Sequence, residues 1–402
     1  MAASGDPVAR WLVGSPGDDV YATYERIRAR GPVVDSKAGV LAVTSHELCQ
    51  TVLRDSRFGV RPADGSPVRN DPALPDVPGS LTGSFLELDP PDHTRLRRVA
   101  APAFRPAVVR TWTPRIEAVL HHLMDEAEHR ARHGADVDLM VEVAAPFPIA
   151  VVSEMLGIPD VDAARFARIG ALAGQSLDGV RSPRQARALR AVGDELDTLF
   201  TRLLDERSRE PRDDVISALA SARDRDEATA ADVVGIAGLL LIAGFETTVN
   251  LIGNGIAALH ASPQTWYDLV HAPATAQAVV EETLRWDPSV QGTARVAHEQ
   301  LELAGRSVPA GSTVLVLTAA ANRDPLVYRD PFIFDPGRTG EVEHLTFSTG
   351  IHYCLGAPLA RLEGEVAFRL LAERWSQLRL VPTTRRRPGA TIRGYSHLPA
   401  RL

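Results

Sequence analysis

Between Val233 and Leu259 the chain runs for 27 residues with one charged side chain, Glu246, in the middle. No other stretch narrows the possible folds as much. A segment this long and apolar could cross a bilayer as a helix. Five glycines (Gly235, Gly238, Gly244, Gly253, Gly255), two asparagines and flanks without aromatic or basic anchors speak against that. The remaining solution is a helix about 40 Å long, at ~1.5 Å per residue, buried through the centre of a soluble protein. Burial then makes its middle conspicuous. Ala243-Gly244-Phe245-Glu246-Thr247-Thr248 sets a carboxylate and two hydroxyls where apolar side chains would be cheaper, and a buried carboxylate asks for a function.

Other helices must cover such a rod, and the pattern supplies them. Ile116, Val119, Leu120, Leu123, Met124 and Ala127 form one amphipathic stripe; Leu196, Leu199, Phe200, Leu203 and Leu204 form another. Residues 163–207 read as helical, with small-residue interruptions at Gly170, Gly174 and Gly179. The apolar run from Ala144 carries Pro146 and Pro148 and ends at Gly157-Ile158-Pro159. A helix from Thr275 to Trp286, stopped by Pro288, puts Glu282 and Arg285 on one face; an exposed pair of that kind contributes only ~0–1 kcal/mol.

Tyr21 to Arg30 reads as a short charged helix after an irregular segment 1–20, and Thr44-Ser45-His46-Glu47 as a capping box opening a helix that buries Cys49. Strand patterns are few: Val40–Val43, Leu301–Leu303 and Val314–Leu317. From Val60 to Leu86 five prolines break every period, the mark of a functional or mobile loop. Asp89-Pro90-Pro91-Asp92-His93 then starts a helix that places His93 and Arg97 on one face. With no repeat and no linker, the expectation is one domain, 1–402, mainly α with a small β-rich part.

Chemistry concentrates in Phe347-Ser348-Thr349-Gly350-Ile351-His352-Tyr353-Cys354-Leu355-Gly356. Leu355, Leu359, Leu362, Val366 and Leu370 follow at helical spacing, with Pro358 in the first turn. Cys354 is thereby expected at a helix N-terminus, where the dipole favours a thiolate, a soft metal ligand. A small buried core cysteine is the competing reading. The other cysteine is Cys49, so there is no disulfide framework, and the absence of Cys-x-x-Cys-His excludes covalent haem of the c type. Net charge is −7, which offers nucleic acid no footprint, and Arg385-Arg386-Arg387 reads as a solvated turn. The N-terminal residues show no signal or transit pattern, so a cytoplasmic protein is expected.

In this order and spacing the motifs resemble those of the soluble bacterial cytochromes P-450, from about Tyr21 to Leu402. The resemblance implies a triangular helical prism with a long central helix over haem b. Phe347, Gly350, His352, Cys354 and Gly356 match the family's cysteine loop, making Cys354 the axial iron ligand; Ser348 stands where the family has glycine. Cofactor contacts are implied for His93, Arg97, Ala243, Gly244, Arg295, Phe347, Gly350, His352, Gly356 and Ala360. Gly244 would let the helix pass close over the porphyrin, Thr247 would hydrogen-bond dioxygen, and Glu246 would feed protons from solvent. Glu282 and Arg285, with Arg338, map onto a structural network. Phe85, Leu86, Ala243, Thr247, Val290, Gln291 and Ile392 are expected to line the substrate pocket.

The activity implied is hydroxylation or epoxidation of a small, largely apolar molecule with dioxygen. Electrons would come from NAD(P)H through a separate ferredoxin and ferredoxin reductase, since the motifs leave no room for a flavin or iron–sulfur domain. Arg97, Arg98 and Arg361 are basic residues near the motifs that could face that acidic partner, the alternative being that two of them bind haem or solvent. A monomer without nucleic-acid or membrane partners is expected. Oxidative coupling or peroxide-driven oxidation on the same scaffold, and a haem sensor without turnover, are the alternatives. The acid–alcohol pair Glu246–Thr247 weighs against the peroxide reading.

Overall fold

The computed structural model describes residues 5–14, 19–66, 84–132, 136–159, 162–176, 180, 182–387 and 389–402. Helices dominate. The first three, α1 (Pro7–Val13), α2 (Val20–Arg28) and α3 (His46–Arg54), are short and sit beside the main sheet. Next come α4 (Asp92–Ala100), α5 (Pro106–Thr111), α6 (Thr113–Ala131), α7 (Pro146–Leu156), α8 (Ala163–Ser176), α9 (Pro183–Arg209) and α10 (Val215–Asp224). The apolar rod is α11 (Ala230–Ala261); α12 (Pro263–His271), α13 (Ala276–Trp286), α14 (Thr318–Ala321) and α15 (Ala357–Arg374) complete the set.

α11 is 32 residues long, opened by a capping box in which Thr229 and Asp232 satisfy each other's backbone N–H. It is the one described helix long and apolar enough to cross a membrane, and α7, α8, α9, α13 and α15 pack around it. Its polar residues are absorbed locally: Asn254 Nδ2 donates to Asp287 O (2.9 Å) and Arg393 O (3.2 Å). The contact with α15 is made through glycine. A Cβ at Gly255 would stand 2.2 Å from the Phe368 ring, and one at Gly364 would stand 3.3 Å from Leu251.

Gly170 and Gly174 do not interrupt α8; they sit inside it, where it crosses α11. A Cβ at Gly170 would stand 2.0 Å from the Phe245 ring, and one at Gly174 3.3 Å from Glu246 Cγ. Close helix approach explains these glycines; Gly179 lies outside the described residues. Pro146 likewise opens α7 from its first turn, and Gly157 ends it in the left-handed conformation (φ 71°).

The β-rich part is a five-stranded sheet in the order Val33–Asp35, Leu41–Val43, Thr313–Val316, Thr293–Ala297, Phe58–Gly59. Two of the expected strands are neighbours in it, pairing in parallel from Leu41↔Val314 to Val43↔Val316. Leu301–Leu303 forms a separate hairpin with Arg306–Val308. Two expectations change. The N-terminal segment is not irregular throughout: Asp6 caps α1, and buried Trp11 donates to Tyr24 OH (3.0 Å). The cap of α3 is Ser45, accepting from Leu48 N, not Thr44, so Glu47 falls too early to close a box.

Candidate active site

The cysteine loop packs against α3 at Gly350–His352 and leads into α15. Cys354 N donates to Phe347 O (2.8 Å), which closes the loop, and Ala357 N donates to Cys354 O (3.4 Å). Gly350 has φ 72°, and a Cβ there would meet Leu53 O at 2.7 Å, so glycine is required. Ser348 occupies the same left-handed region (φ 61°), and its hydroxyl is buried without a partner. The loop keeps a glycine conformation with a serine in it. Ser348→Gly should therefore stabilise the protein by about 1–2 kcal/mol, measured by urea unfolding, through relief of left-handed strain.

α15 begins at Ala357 with Gly356 as its cap, so Cys354 lies outside the first turn. Burial pushes its thiol pKa up, against the lowering pull of the Gly356 N–H, Arg97 and Arg361. Desolvation and the helix dipole oppose each other at this sulfur.

Beside the loop, four donors converge. The His93 and His352 rings lie 4.3 Å apart. Both His93 ring nitrogens and His352 Nε2 are buried with no partner. Burial, then Arg295, His93 and Arg97, drive the His352 pKa down to about 3, and burial lowers Arg295 to about 10. Mutual repulsion among buried donors marks a pocket shaped for anions. Phe347 is buried beside it under the Arg361 guanidinium, 4.6 Å from the ring centroid.

On α11, Ala243 is exposed and Thr247 half-buried, so this pair forms the helix's accessible face. Thr247 Oγ1 donates to Ala243 O (3.0 Å) and Thr248 Oγ1 to Gly244 O (3.2 Å). Gly244 also packs against α7: a Cβ there would meet Val152 Cγ2 at 3.0 Å. Glu246 is buried, turned from the Thr247 face, and ion-paired with Arg387. Burial raises its pKa, and Arg387 opposes the rise.

The structural network is complete. Arg285 Nε and Nη2 each lie 2.7 Å from a Glu282 oxygen, Arg338 Nε donates to Glu282 Oε1 (3.1 Å), and Asp335 N does so at 2.7 Å.

A family model described as Cytochrome P-450 matches residues 260–385. The chain is 38% identical over 394 residues to the cytochrome P-450 monooxygenase PikC of Streptomyces venezuelae, covering 95% of this chain and 91% of that protein. The chain belongs to the cytochrome P-450 family. The mycinamicin IV hydroxylase/epoxidase of Micromonospora griseorubida is 36% identical over 89% of this chain and 88% of its own length. The ligand-free crystal structure of Mycobacterium smegmatis CYP164A2 superimposes with a TM-score of 0.87 at 35% identity, covering 98% of this chain and 99% of that one. The fold is thus the mainly helical prism of the P-450 enzymes, and the chain is a P-450 monooxygenase using haem b and electrons derived from NAD(P)H through redox partners.

The residues fit that cofactor. A sulfur on the loop and four buried or half-buried donors, His93, Arg97, Arg295 and His352, none ion-paired to a carboxylate among the described residues, match an iron porphyrin with two propionates. Ala360, half-buried, packs against the core with Cys354, and nothing crowds Gly356.

The P-450 site also differs from expectation. Gln291 is fully buried, accepting from Tyr24 OH (2.8 Å) and donating to Pro288 O (2.6 Å), so it braces the wall and does not line the pocket. Val290 and Ile392 do meet, as a β-bridge, and Phe85 is buried against His93 (centroids 6.3 Å apart). Leu86 is half exposed, and residues 67–83 of the proline-rich loop lie outside the described residues. Arg97 turns inward to Tyr353 O, and Arg361 pairs with Glu281 (2.7 Å) and Glu343 (3.5 Å); of the three arginines only Arg98 is exposed.

Two groups in or against the core escaped the sequence reading. One is Arg387. The other is Glu363 on α15, whose two carboxyl oxygens have no hydrogen-bond partner; burial, eased by the nearby Thr248 hydroxyl, raises its pKa well above the carboxylate range. A lone acid at position 363 within an apolar helical period was the available signal.

Proposed function

We propose that this P-450 hydroxylates or epoxidises a small, largely apolar organic molecule in secondary metabolism or catabolism, working in the cytoplasm with electrons from a separate ferredoxin and its reductase. The observation that carries this reading is the Glu246–Thr247 pair: a buried acid beside an accessible alcohol, at the centre of an otherwise apolar helix. The hydroxylase/epoxidase named among the relatives supports the reaction type.

When bound, haem iron supplies dioxygen activation and oxygen transfer. The chain's own residues do the rest. Cys354 Sγ would hold the iron, and His93, Arg97, Arg295 and His352 would receive the propionates. Ala243 and Thr247 present a smooth, mostly apolar surface with one hydroxyl. That hydroxyl is held by Ala243 O (3.0 Å), while Ser289 Oγ ties the Thr247 carbonyl (2.6 Å), so the alcohol is fixed in place. Glu246 exchanges protons with solvent on the Arg387 side and passes them toward Thr247. Val290, Ile392 and Phe85 would form the apolar wall of the pocket.

The test is Thr247→Ala. Haem content and substrate-induced Soret shift should be unchanged, while product per electron drops several-fold and hydrogen peroxide release rises to match. Unchanged product yield without extra peroxide would remove the alcohol from the mechanism.

A further inference from the structure

The three arginines at 385–387 do not form a solvated turn. Arg386 Nη2 pairs with buried Asp287 (2.8 Å), and Arg387 reaches across 141 sequence positions to Glu246. Both lie in the carboxy-terminal hairpin whose strands are Arg385–Arg386 and Tyr395–His397, the second of which packs on α11. Gly394, whose carbonyl accepts from Arg387 N (3.0 Å), sits where a Cβ would stand 1.8 Å from Asn250 Oδ1. Asn250 Nδ2 in turn donates to Glu246 O (2.7 Å). From the other side α8 closes in with Gly174, which brings no charge.

Among the described residues, Glu246 is therefore held between two elements and meets one cation. Arg387 faces it from the hairpin, Asn250 from its own helix, and Gly174 from α8. The Arg387 side chain is 25% exposed and the Glu246 side chain 6%, so the pair joins solvent to the interior. The same hairpin reaches the substrate wall: Gln291 N donates to Thr391 O (2.9 Å), and Arg393 N to Ser289 O (2.8 Å).

We infer that Arg387 is the positioning residue of the proton-carrying acid, holding the Glu246 carboxylate ionised and turned toward the hairpin, away from the Ala243–Thr247 face. The functional consequence rests on the reading of Glu246 as proton carrier given above; the ion pair itself does not. In the resting protein the acid is an anion beside its solvent entrance. It takes a proton there, the attraction to Arg387 falls, and the neutral side chain is free to turn toward Thr247. Its proton leaves on that side, and the restored anion returns to the arginine. One proton enters and one leaves in each cycle, with Glu246 unchanged.

The test is an infrared difference titration of the holoenzyme, with the protonated-carboxyl band of Glu246 identified by its loss in Glu246→Gln. Removing a cation disfavours the anion, so Arg387→Gln should move the band's midpoint upward by at least one pH unit, a tenfold or greater gain in proton affinity. Arg387→Lys, which keeps the charge, should bring it back. A midpoint that stays put in Arg387→Gln overturns the inference. So does a shift that lysine fails to reverse, since Arg387 would then act through packing. Peroxide release in the same variants separates the two readings. A moved band with unchanged coupling leaves Arg387 as the positioning residue and removes Glu246 from proton delivery; an unmoved band with Glu246→Gln uncoupled does the reverse.

Discussion

Arg285→Ala should lose about 3–5 kcal/mol of stability, the cost of stranding one member of a buried ion pair. Both partners are almost fully buried, Glu282 at 4% and Arg285 at 3% exposure, so water cannot replace the lost contact. The damage would not stop at Glu282. Arg285 also donates to Asn322 O (3.0 Å), Pro331 O (2.9 Å) and Ile333 O (3.0 Å), three carbonyls of the irregular segment leading into the cysteine loop. Arg338 would keep Glu282 company but carries its own bonds to Asp330 O and Ile333 O. Native domains are only about 5–15 kcal/mol stable, so about a fifth or more of the margin is at stake. The expected result is a urea midpoint displaced by that amount and weak haem retention during purification. Arg285→Lys should recover only part of it, because an ammonium cannot span both carboxylate oxygens. A loss below about 1 kcal/mol would show that the network is dispensable.

The same network shows which parts of this molecule can be read in one dimension. Glu282 and Arg285 are three apart on a helix, Phe347 through Gly356 is one continuous loop, and α11 is one uninterrupted apolar run; local spacing carries each of them. The order of these motifs then carries the family, and the family the fold. What could not be read is what lies opposite. Gly170 and Gly174 weaken a helical period on paper, and only the crossing of Phe245 and Glu246 shows why they are there. Gln291 has the position of a pocket residue, yet Tyr24, 267 residues away, pulls its amide into the wall. Arg387 looked like one charge in a solvated run until the hairpin laid it on α11. Periodicity reports how much of an element is buried and not which partner buries it, so ion pairs distant in sequence are invisible to it.

Cys354 poses the same problem in its sharpest form, because helix dipole and desolvation oppose each other there and sequence cannot weigh them. The structure favours desolvation, and a substitution turns that into a decisive experiment. Cys354→Ser should abolish monooxygenase activity and the strongly red-shifted Soret band of the reduced carbon monoxide complex, both of which need a thiolate on iron. Stability of the haem-free protein should hardly change. The Cys354 backbone bond to Phe347 O does not involve the side chain, and the swap is nearly isosteric. Cys49→Ser provides the contrast. Cys49 is completely buried, burial pushes its thiol pKa far up, and its sulfur lies 3.6 Å from Val43 O on the sheet side of α3. A hydroxyl there must be desolvated, so that variant should lose about 1–2 kcal/mol while keeping the red-shifted band. The two cysteines would thus exchange phenotypes, one governing spectrum and turnover and the other only stability. If Cys354→Ser kept the shifted band, or if Cys49→Ser lost it, the assignment of Cys354 as the iron ligand would be wrong.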